Sequence, residues 1–151
     1  MASSKGNKKP KPGDLIEIYD NQLFQHWAVY VGDDVVVHLV PNNVVEGVAE
    51  VKKEELGKVV KNRKWIVNNK LDSKYQHRPA RAIVRDACAM VGQKMRYCLL
   101  NSNCEHFVNN LRYGKSESRQ VQKGVIAGVI AFFGIVFAVA LGVSIKKKLY
   151  Q

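Results

Sequence analysis

The chain has 151 residues, enough for one modest domain with a hydrophobic core and one appendage. Its formal net charge is +11, but its aromatic residues are not interleaved with lysine and arginine in any nucleic-acid-reading pattern, so we expect no nucleic-acid partner. Three cysteines, an odd number, and an N-terminus without the apolar core of a secretory signal favour a reducing, cytosol-facing compartment.

The first half of the chain predicts a flexible arm followed by short strands. Residues 1–12 are basic and contain two prolines, which is typical of a flexible arm. A turn at Gly13 then leads into a strand, Leu15 to Tyr19, which opens a domain that we expect to span residues 13–114.

The segment His26 to Val40 predicts a β-hairpin. If Gly32 to Asp34 form a three-residue loop, Val31 pairs with Val35, and His26 and His38 become diagonal neighbours on one face. A two-residue loop would reverse the parity and place the two histidines on opposite faces. Each histidine, considered singly, is also compatible with an ordinary half-buried strand position.

The middle of the chain carries weaker signals. We expect Pro41 to end the hairpin, Trp65 to Val67 to form a strand, and Pro79 to start a helix that stops at Gly92. Val44 to Val51 is compatible with extended structure and Glu54 to Val60 with a helix. Cys88 lies on the apolar face of the Pro79 helix and Cys98 has no activating neighbour, so we interpret both as structural.

The third cysteine, Cys104, lies at the start of a predicted helix. Asn103 is an N-cap residue type, and Gly114 provides a stop, so Cys104 falls in the first turn of the helix. The helix dipole there favours a thiolate, the nucleophilic form of cysteine. His106 points to nearly the opposite side, so a base must come from elsewhere. The alternative is that Cys104 is a small buried apolar residue.

The end of the chain predicts a membrane anchor. Residues 115–123 are a polar linker, 124–145 contain no charged residue, and 146–151 are a short basic tail. About 20 helical residues cross a bilayer, so 124–145 predicts a transmembrane helix. We expect an intracellular membrane as partner, a single-pass C-terminal anchor, and a catalytic domain that faces the cytosol.

Four segments together resemble the phospholipase A and acyltransferase family, which is related to lecithin:retinol acyltransferase. They are Asn103 to Val108, Lys11 to Ile18, His26 to Asp33, and Val91 to Met95. The resemblance implies an α+β, permuted papain-like thiol-enzyme domain, in which a small antiparallel sheet packs against a cysteine-bearing helix. It also implies Cys104 as nucleophile, His26 as general base and acid, and His38 as the group that orients His26.

The implied activity is that of a phospholipase A1/A2 and acyltransferase. An acyl chain would move from a glycerophospholipid, through a Cys104 thioester, to water, a lysophospholipid or the amine of phosphatidylethanolamine. We expect no cofactor and no metal; the oligomeric state stays open. Asp20 to Gln25 departs from the family's Arg-Pro-containing segment, which concerns headgroup contacts rather than the triad.

Two other function classes remain open at this point. A papain-like peptidase or deconjugating enzyme would use the same three residues on an amide. A non-catalytic tail-anchored adaptor, or a zinc-stabilised module with His26, His38 and Cys104 as ligands, would need no nucleophile, although the sequence has no Cys-x-x-Cys knuckle.

Overall fold

A computed structural model describes residues 8–20, 25–43, 47–98 and 103–115. One six-stranded antiparallel sheet has the strand order β5-β1-β2-β3-β4-β6. The strands are β1 (Leu15–Ile18), β2 (His26–Gly32), β3 (Val35–Asn43), β4 (Val48–Glu55), β5 (Trp65–Val67) and β6 (Lys94–Arg96). The helices are α1 (Leu56–Val60), α2 (Ala80–Ala89) and α3 (Cys104–Tyr113), and a 3₁₀ turn spans Lys70–Ser73. The α+β class and the small antiparallel sheet are therefore confirmed.

Both faces of the sheet are covered, which explains why β2 is apolar almost throughout. One face packs against α2 and α3 in a core that contains Trp27, Val29, Leu39, Ile83 and Val108. The other face packs against α1 in a second cluster with Ile16, Ala28, Tyr30, Val36 and Val60. Because successive side chains of a strand alternate between faces, neighbouring residues of β2 fall into different clusters.

The hairpin places both histidines on one face, as the three-residue alternative required, but it does so with a two-residue loop. Ala28 pairs with His38 as expected, whereas Val35 pairs with Gly32 rather than with Val31. The loop has two residues, Asp33 and Asp34, whose φ angles of 52° and 56° are those of a type I′ turn. A bulge between Tyr30 and Gly32 adds one residue to β2. That extra residue restores the parity that the two-residue loop would otherwise reverse.

Other strand ends also differ from the sequence prediction. Pro41 does not end β3, which continues to Asn43 through a register shift between these two residues. Proline lacks a backbone N–H and is tolerated at such irregularities. The predicted helix at Glu54 to Val60 begins at Leu56, because Glu54 still belongs to β4. The strand at Trp65 is as predicted, and the helix after Pro79 begins as predicted but ends at Ala89, three residues before Gly92.

Helix α3 begins and ends where its sequence predicts. The Asn103 side chain accepts hydrogen bonds from the backbone N–H groups of Glu105 and His106, at 3.0 and 3.1 Å. In return, the backbone N–H of Asn103 donates to His106 Nδ1 at 3.2 Å, which completes a capping box. Gly114 ends the helix in the left-handed conformation, with φ of 67°. The cap holds Cys104 at the first helical position.

The far end of α3 is held by a buried arginine. Arg112 is 5% exposed; its Nε and Nη2 atoms donate to the Asp72 carboxylate at 3.0 and 2.8 Å, and Nη1 donates to the Gly13 carbonyl at 2.9 Å. The Tyr113 hydroxyl donates to the same carboxylate at 2.8 Å. These bonds tie the helix to the 3₁₀ turn and to the entrance of β1, so both ends of α3 are fixed.

The predicted arm lies mostly outside the described residues, as do most of the linker and all of the predicted anchor, 124–145, and tail. Within the ranges that the structure describes, no helix combines the length and the apolar character that a membrane crossing needs.

Candidate active site

Two imidazoles and a carboxylate form a continuous hydrogen-bonded row across three strands. His26 Nε2 on β2 lies 2.8 Å from His38 Nδ1 on β3, and the two rings meet edge to face with centroids 5.1 Å apart. On the other side, His38 Nε2 lies 2.6 Å from Glu54 Oε2 on β4. The predicted contact between the two histidines is confirmed, and Glu54 is an addition that sequence reasoning missed.

The strand register explains this row. His38 lies opposite Ala28, two residues from His26, and Glu54 lies opposite Val36, two residues from His38. Each step is therefore a diagonal between adjacent antiparallel strands, a spacing that long side chains can bridge. The only sequence signal for Glu54 was its place in a run of four charged residues, Lys52 to Glu55, at the end of β4. It was too weak to separate a strand from the start of a helix.

Burial keeps the histidine pair neutral. It lowers the pKa of His26 to about 4, with smaller contributions in the same direction from the neighbouring His38 and from the positive charge of Arg63. It also lowers the pKa of His38, against the Glu54 carboxylate, which raises it. Arg63 lies beside the pair in an ion pair with Asp20 at 3.0 Å. A neutral imidazole has one nitrogen that can accept a proton, as a general base must.

Cys104 lies at the start of β2, on the α3 side of the sheet. The thiol is 6% exposed and belongs to the cluster of Trp27 and Leu39, on the face opposite to that of Ala28. Its Sγ donates to the backbone carbonyl of Gln25 at 3.5 Å. Gln25 immediately precedes His26, so the thiol lies against the start of β2. Among the described residues, no hydrogen bond joins the thiol to either imidazole.

Burial opposes the effect of the helix start, which was expected to favour a Cys104 thiolate. Burial raises the pKa of the Cys104 thiol to about 11, and the backbone N–H of Trp27, which lowers it, is not enough to compensate. The side chain of Trp27 is buried too, and its Nε1 has no hydrogen-bond partner in the described part of the chain. Burial therefore favours the neutral form of both the Cys104 thiol and the His26 imidazole.

His106, Cys88 and Cys98 have no part in this row of side chains. His106 accepts the Asn103 N–H and is part of the helix cap, a role that its spacing from Asn103 could have indicated. Cys88 is half-buried against the core and Cys98 is exposed. No group of three or more metal-ligating side chains with suitable geometry occurs in the described ranges, which include His26, His38 and Cys104.

Comparison with known proteins places the chain in a family. The family described as lecithin retinol acyltransferase matches residues 8–117. The chain is 44% identical over 158 residues to phospholipase A and acyltransferase 4 of Homo sapiens, which covers 96% of this chain and 94% of that protein. It is 43% identical over 155 residues to phospholipase A and acyltransferase 3 of Homo sapiens, with 95% of each chain covered. It is 43% identical over 145 residues to phospholipase A and acyltransferase 2 of Homo sapiens, which covers 85% of this chain and 89% of that protein.

The match over more than two thirds of the chain shows that it belongs to the lecithin retinol acyltransferase family. Within that family, it belongs with the phospholipase A and acyltransferases, as its sequence motifs predicted.

Proposed function

We propose that this chain is a thiol phospholipase A and acyltransferase with a permuted papain-like fold, which transfers an acyl chain from a glycerophospholipid through a Cys104 thioester. The observation that carries the proposal is the hydrogen-bonded row that ends on His26, next to the carbonyl that holds the Cys104 thiol. The names of its relatives support the class of reaction, because they describe phospholipases A and acyltransferases.

The first half of the reaction transfers the acyl chain to sulfur. The thiol exchanges its Gln25 carbonyl for the free ring nitrogen of His26, Nδ1, and its proton moves there as sulfur attacks the ester carbonyl. The tetrahedral intermediate then collapses, the ester C–O bond breaks, and the proton on His26 Nδ1 goes to the leaving lysophospholipid oxygen. The thiol is neutral at rest, so proton transfer accompanies attack instead of preceding it.

The oxyanion of the intermediate needs a hydrogen-bond donor near Cys104. The helix cap already uses the backbone N–H groups of Asn103, Glu105 and His106. The N–H of Cys104 takes no part in this cap among the described residues, and it belongs to the residue that carries the attacking sulfur. We therefore assign it to the oxyanion, where one such donor typically contributes about 3 kcal/mol.

The second half of the reaction releases the acyl chain. His26 Nδ1 takes a proton from water, or from a hydroxyl or amine acceptor, as that acceptor attacks the thioester. The C–S bond breaks, and the proton returns to sulfur. Water gives a fatty acid, a lysophospholipid hydroxyl gives a new ester, and the amine of phosphatidylethanolamine gives an amide.

A membrane location is part of the same proposal. The segment 124–145 has no charged residue and is long enough to span a bilayer, and residues 146–151 end the chain with three lysines. We infer a single-pass C-terminal anchor in an intracellular membrane, with the catalytic domain in the cytosol. The anchor would raise the effective concentration of lipid substrate at the domain.

The direct test is a mass spectrum of the protein incubated with phosphatidylcholine vesicles. An acyl adduct confined to the Cys104 peptide, lost in Cys104→Ser but kept in Cys88→Ser and Cys98→Ser, is the expected result. No adduct and no released fatty acid, together with cleavage of peptide amides, would favour the papain-like peptidase instead. Equal loss in all three variants would mean that the cysteines act in packing.

A further inference from the structure

Glu54 completes a row that the proposed chemistry does not yet use in full. Glu54 lies on β4, opposite Val36 of β3, and its carboxylate lies 2.6 Å from His38 Nε2. The side chain of Glu54 is 43% exposed, whereas that of His38 is 6% exposed. The next residue, Glu55, has a different partner: its side chain pairs with Lys58 at 3.1 Å, and both are exposed. Two adjacent glutamates of one strand thus face different surroundings.

A carboxylate at one end of the row determines which nitrogen carries each hydrogen. An ionised carboxylate only accepts hydrogen bonds, so His38 Nε2 must carry the hydrogen that it donates to Glu54. The neutral His38 then has a lone pair on Nδ1, and the neighbouring Nε2 of His26 must donate to it. His26 consequently has its lone pair on Nδ1. That is the nitrogen required to take the thiol proton.

The opposite arrangement would disable the base. If His38 carried its hydrogen on Nδ1, His26 Nε2 would have to accept it, and the hydrogen of neutral His26 would move to Nδ1. Such an imidazole cannot take a proton from Cys104 at that nitrogen. Residue 54 therefore acts on the chemistry through two imidazoles, without contact with the reacting atoms.

The same carboxylate is placed to stabilise the charge that forms during attack. When His26 Nδ1 takes the thiol proton, the pair becomes positive, and the proton between Nε2 and Nδ1 can shift toward His38, beside Glu54. The other charged groups that act on the pair are Arg63 and Lys52, which oppose this charge, and Asp20, which favours it. Glu54 is the charge in direct hydrogen-bond contact.

We propose that Glu54 is a positioning residue of this site, which sets the tautomers of His38 and His26 and stabilises the imidazolium formed during acyl transfer. The inference rests on the proposed function, in which Cys104 is the nucleophile and His26 the base. Its role would be that of the aspartate in a serine-histidine-aspartate triad, extended by one imidazole.

The test compares Glu54→Gln, which removes the charge but keeps the shape, with Glu55→Gln as the matched control on the same strand. Phospholipid hydrolysis and ¹⁵N-detected imidazole spectra are measured on the full chain in detergent micelles. We expect Glu54→Gln to lower kcat by about ten- to a hundredfold with little change in KM. We also expect the His38 pKa to fall further, because the glutamine amide carries no charge although its oxygen can still accept from His38 Nε2. Glu55→Gln should alter neither readout.

The two readouts keep this inference separate from the proposed function. If Glu54→Gln stays fully active, or leaves the imidazole spectra unchanged while the fold is intact, the positioning role is overturned. If the wild-type protein does not act on phospholipid, the proposed function fails, and the spectra still decide whether Glu54 controls the histidine pair. If Glu54→Gln does not fold, Glu54→Asp is compared with Glu54→Ala instead. Aspartate keeps the negative charge on a shorter side chain, so we expect Glu54→Asp to retain more activity than Glu54→Ala.

Discussion

Acid should destabilise this domain well above the pH at which its carboxylates titrate, because the folded domain buries neutral histidines. His26 is the sharpest case, since burial lowers its pKa from 6.5 to about 4. Between these two values the unfolded chain binds a proton that the folded chain does not. The free energy of unfolding therefore falls as the pH drops through this window. The contribution of neutral His26 to stability is fully present only above about pH 6.5.

The size of the effect follows from the two pKa values. At about pH 4.5, an ordinary histidine is almost fully protonated in the unfolded chain, while His26 in the folded protein is mostly neutral. Proton linkage then costs about 2.5 kcal/mol relative to neutral pH. The lowered pKa values of His38 and His106 add to this loss in the same direction. For a small domain, this is a large share of the total stability.

The assay is urea unfolding at about pH 7.5 and about pH 4.5, with wild type compared with His26→Gln. Glutamine can still donate a hydrogen bond to His38 Nδ1 but does not titrate, so the variant should lose about 2.5 kcal/mol less than wild type on acidification. His77→Gln removes an exposed histidine and serves as the control. Equal acid losses in wild type and His26→Gln would show that His26 is not buried in its neutral form, and the electrostatic account of the site would be wrong.

Three further outcomes are expected. His26→Ala should lose about 10²- to 10⁴-fold in phospholipid hydrolysis, because it removes the proposed base. His38→Gln should keep measurable activity, because an amide can still orient His26. A fully active His26→Ala would contradict the assignment of the base. Asn103→Ala should lower the free energy of unfolding by about 1–2 kcal/mol in denaturant titrations, since two backbone N–H groups lose their acceptor, and no loss would mean that the cap is not formed in solution. A chain that ends at Arg119 should hydrolyse phospholipid in detergent micelles and lose its activity on membranes in cells; a folded but inactive truncated domain refutes the separation of chemistry from location.

Local chemistry made α3 predictable from the sequence. Asn103 is an N-cap type, Gly114 adopts the left-handed conformation that few other residues tolerate, and the apolar residues between them repeat at helical spacing. Each of these signals depends on residues within four positions of one another. The predicted helix therefore begins and ends where the structure has it.

Contacts between distant residues were harder to predict. The sequence left open whether His26 and His38 share a face, because that depended on the loop length; the shared face arises from a two-residue turn and a bulge at Val31. Pairing of β4 with β3 brings Glu54 to His38, sixteen residues away, and no local pattern encodes that pairing. The edge strand β6 has only three residues, two of them charged and exposed, so it has no apolar alternation to reveal it.

The start of β2 carries both parts of the proposed site. His26 presents its imidazole on the α1 face, while the carbonyl of Gln25 holds the thiol on the α3 side. A resting ion pair is avoided because burial disfavours both charges, as the pKa values of about 4 for His26 and about 11 for Cys104 express. In the proposed reaction, the thiol remains protonated until a substrate carbonyl can accept its electron pair, and the row from His26 to Glu54 supplies the acceptor for its proton at that moment. On this proposal, the substrate activates the nucleophile and the base together.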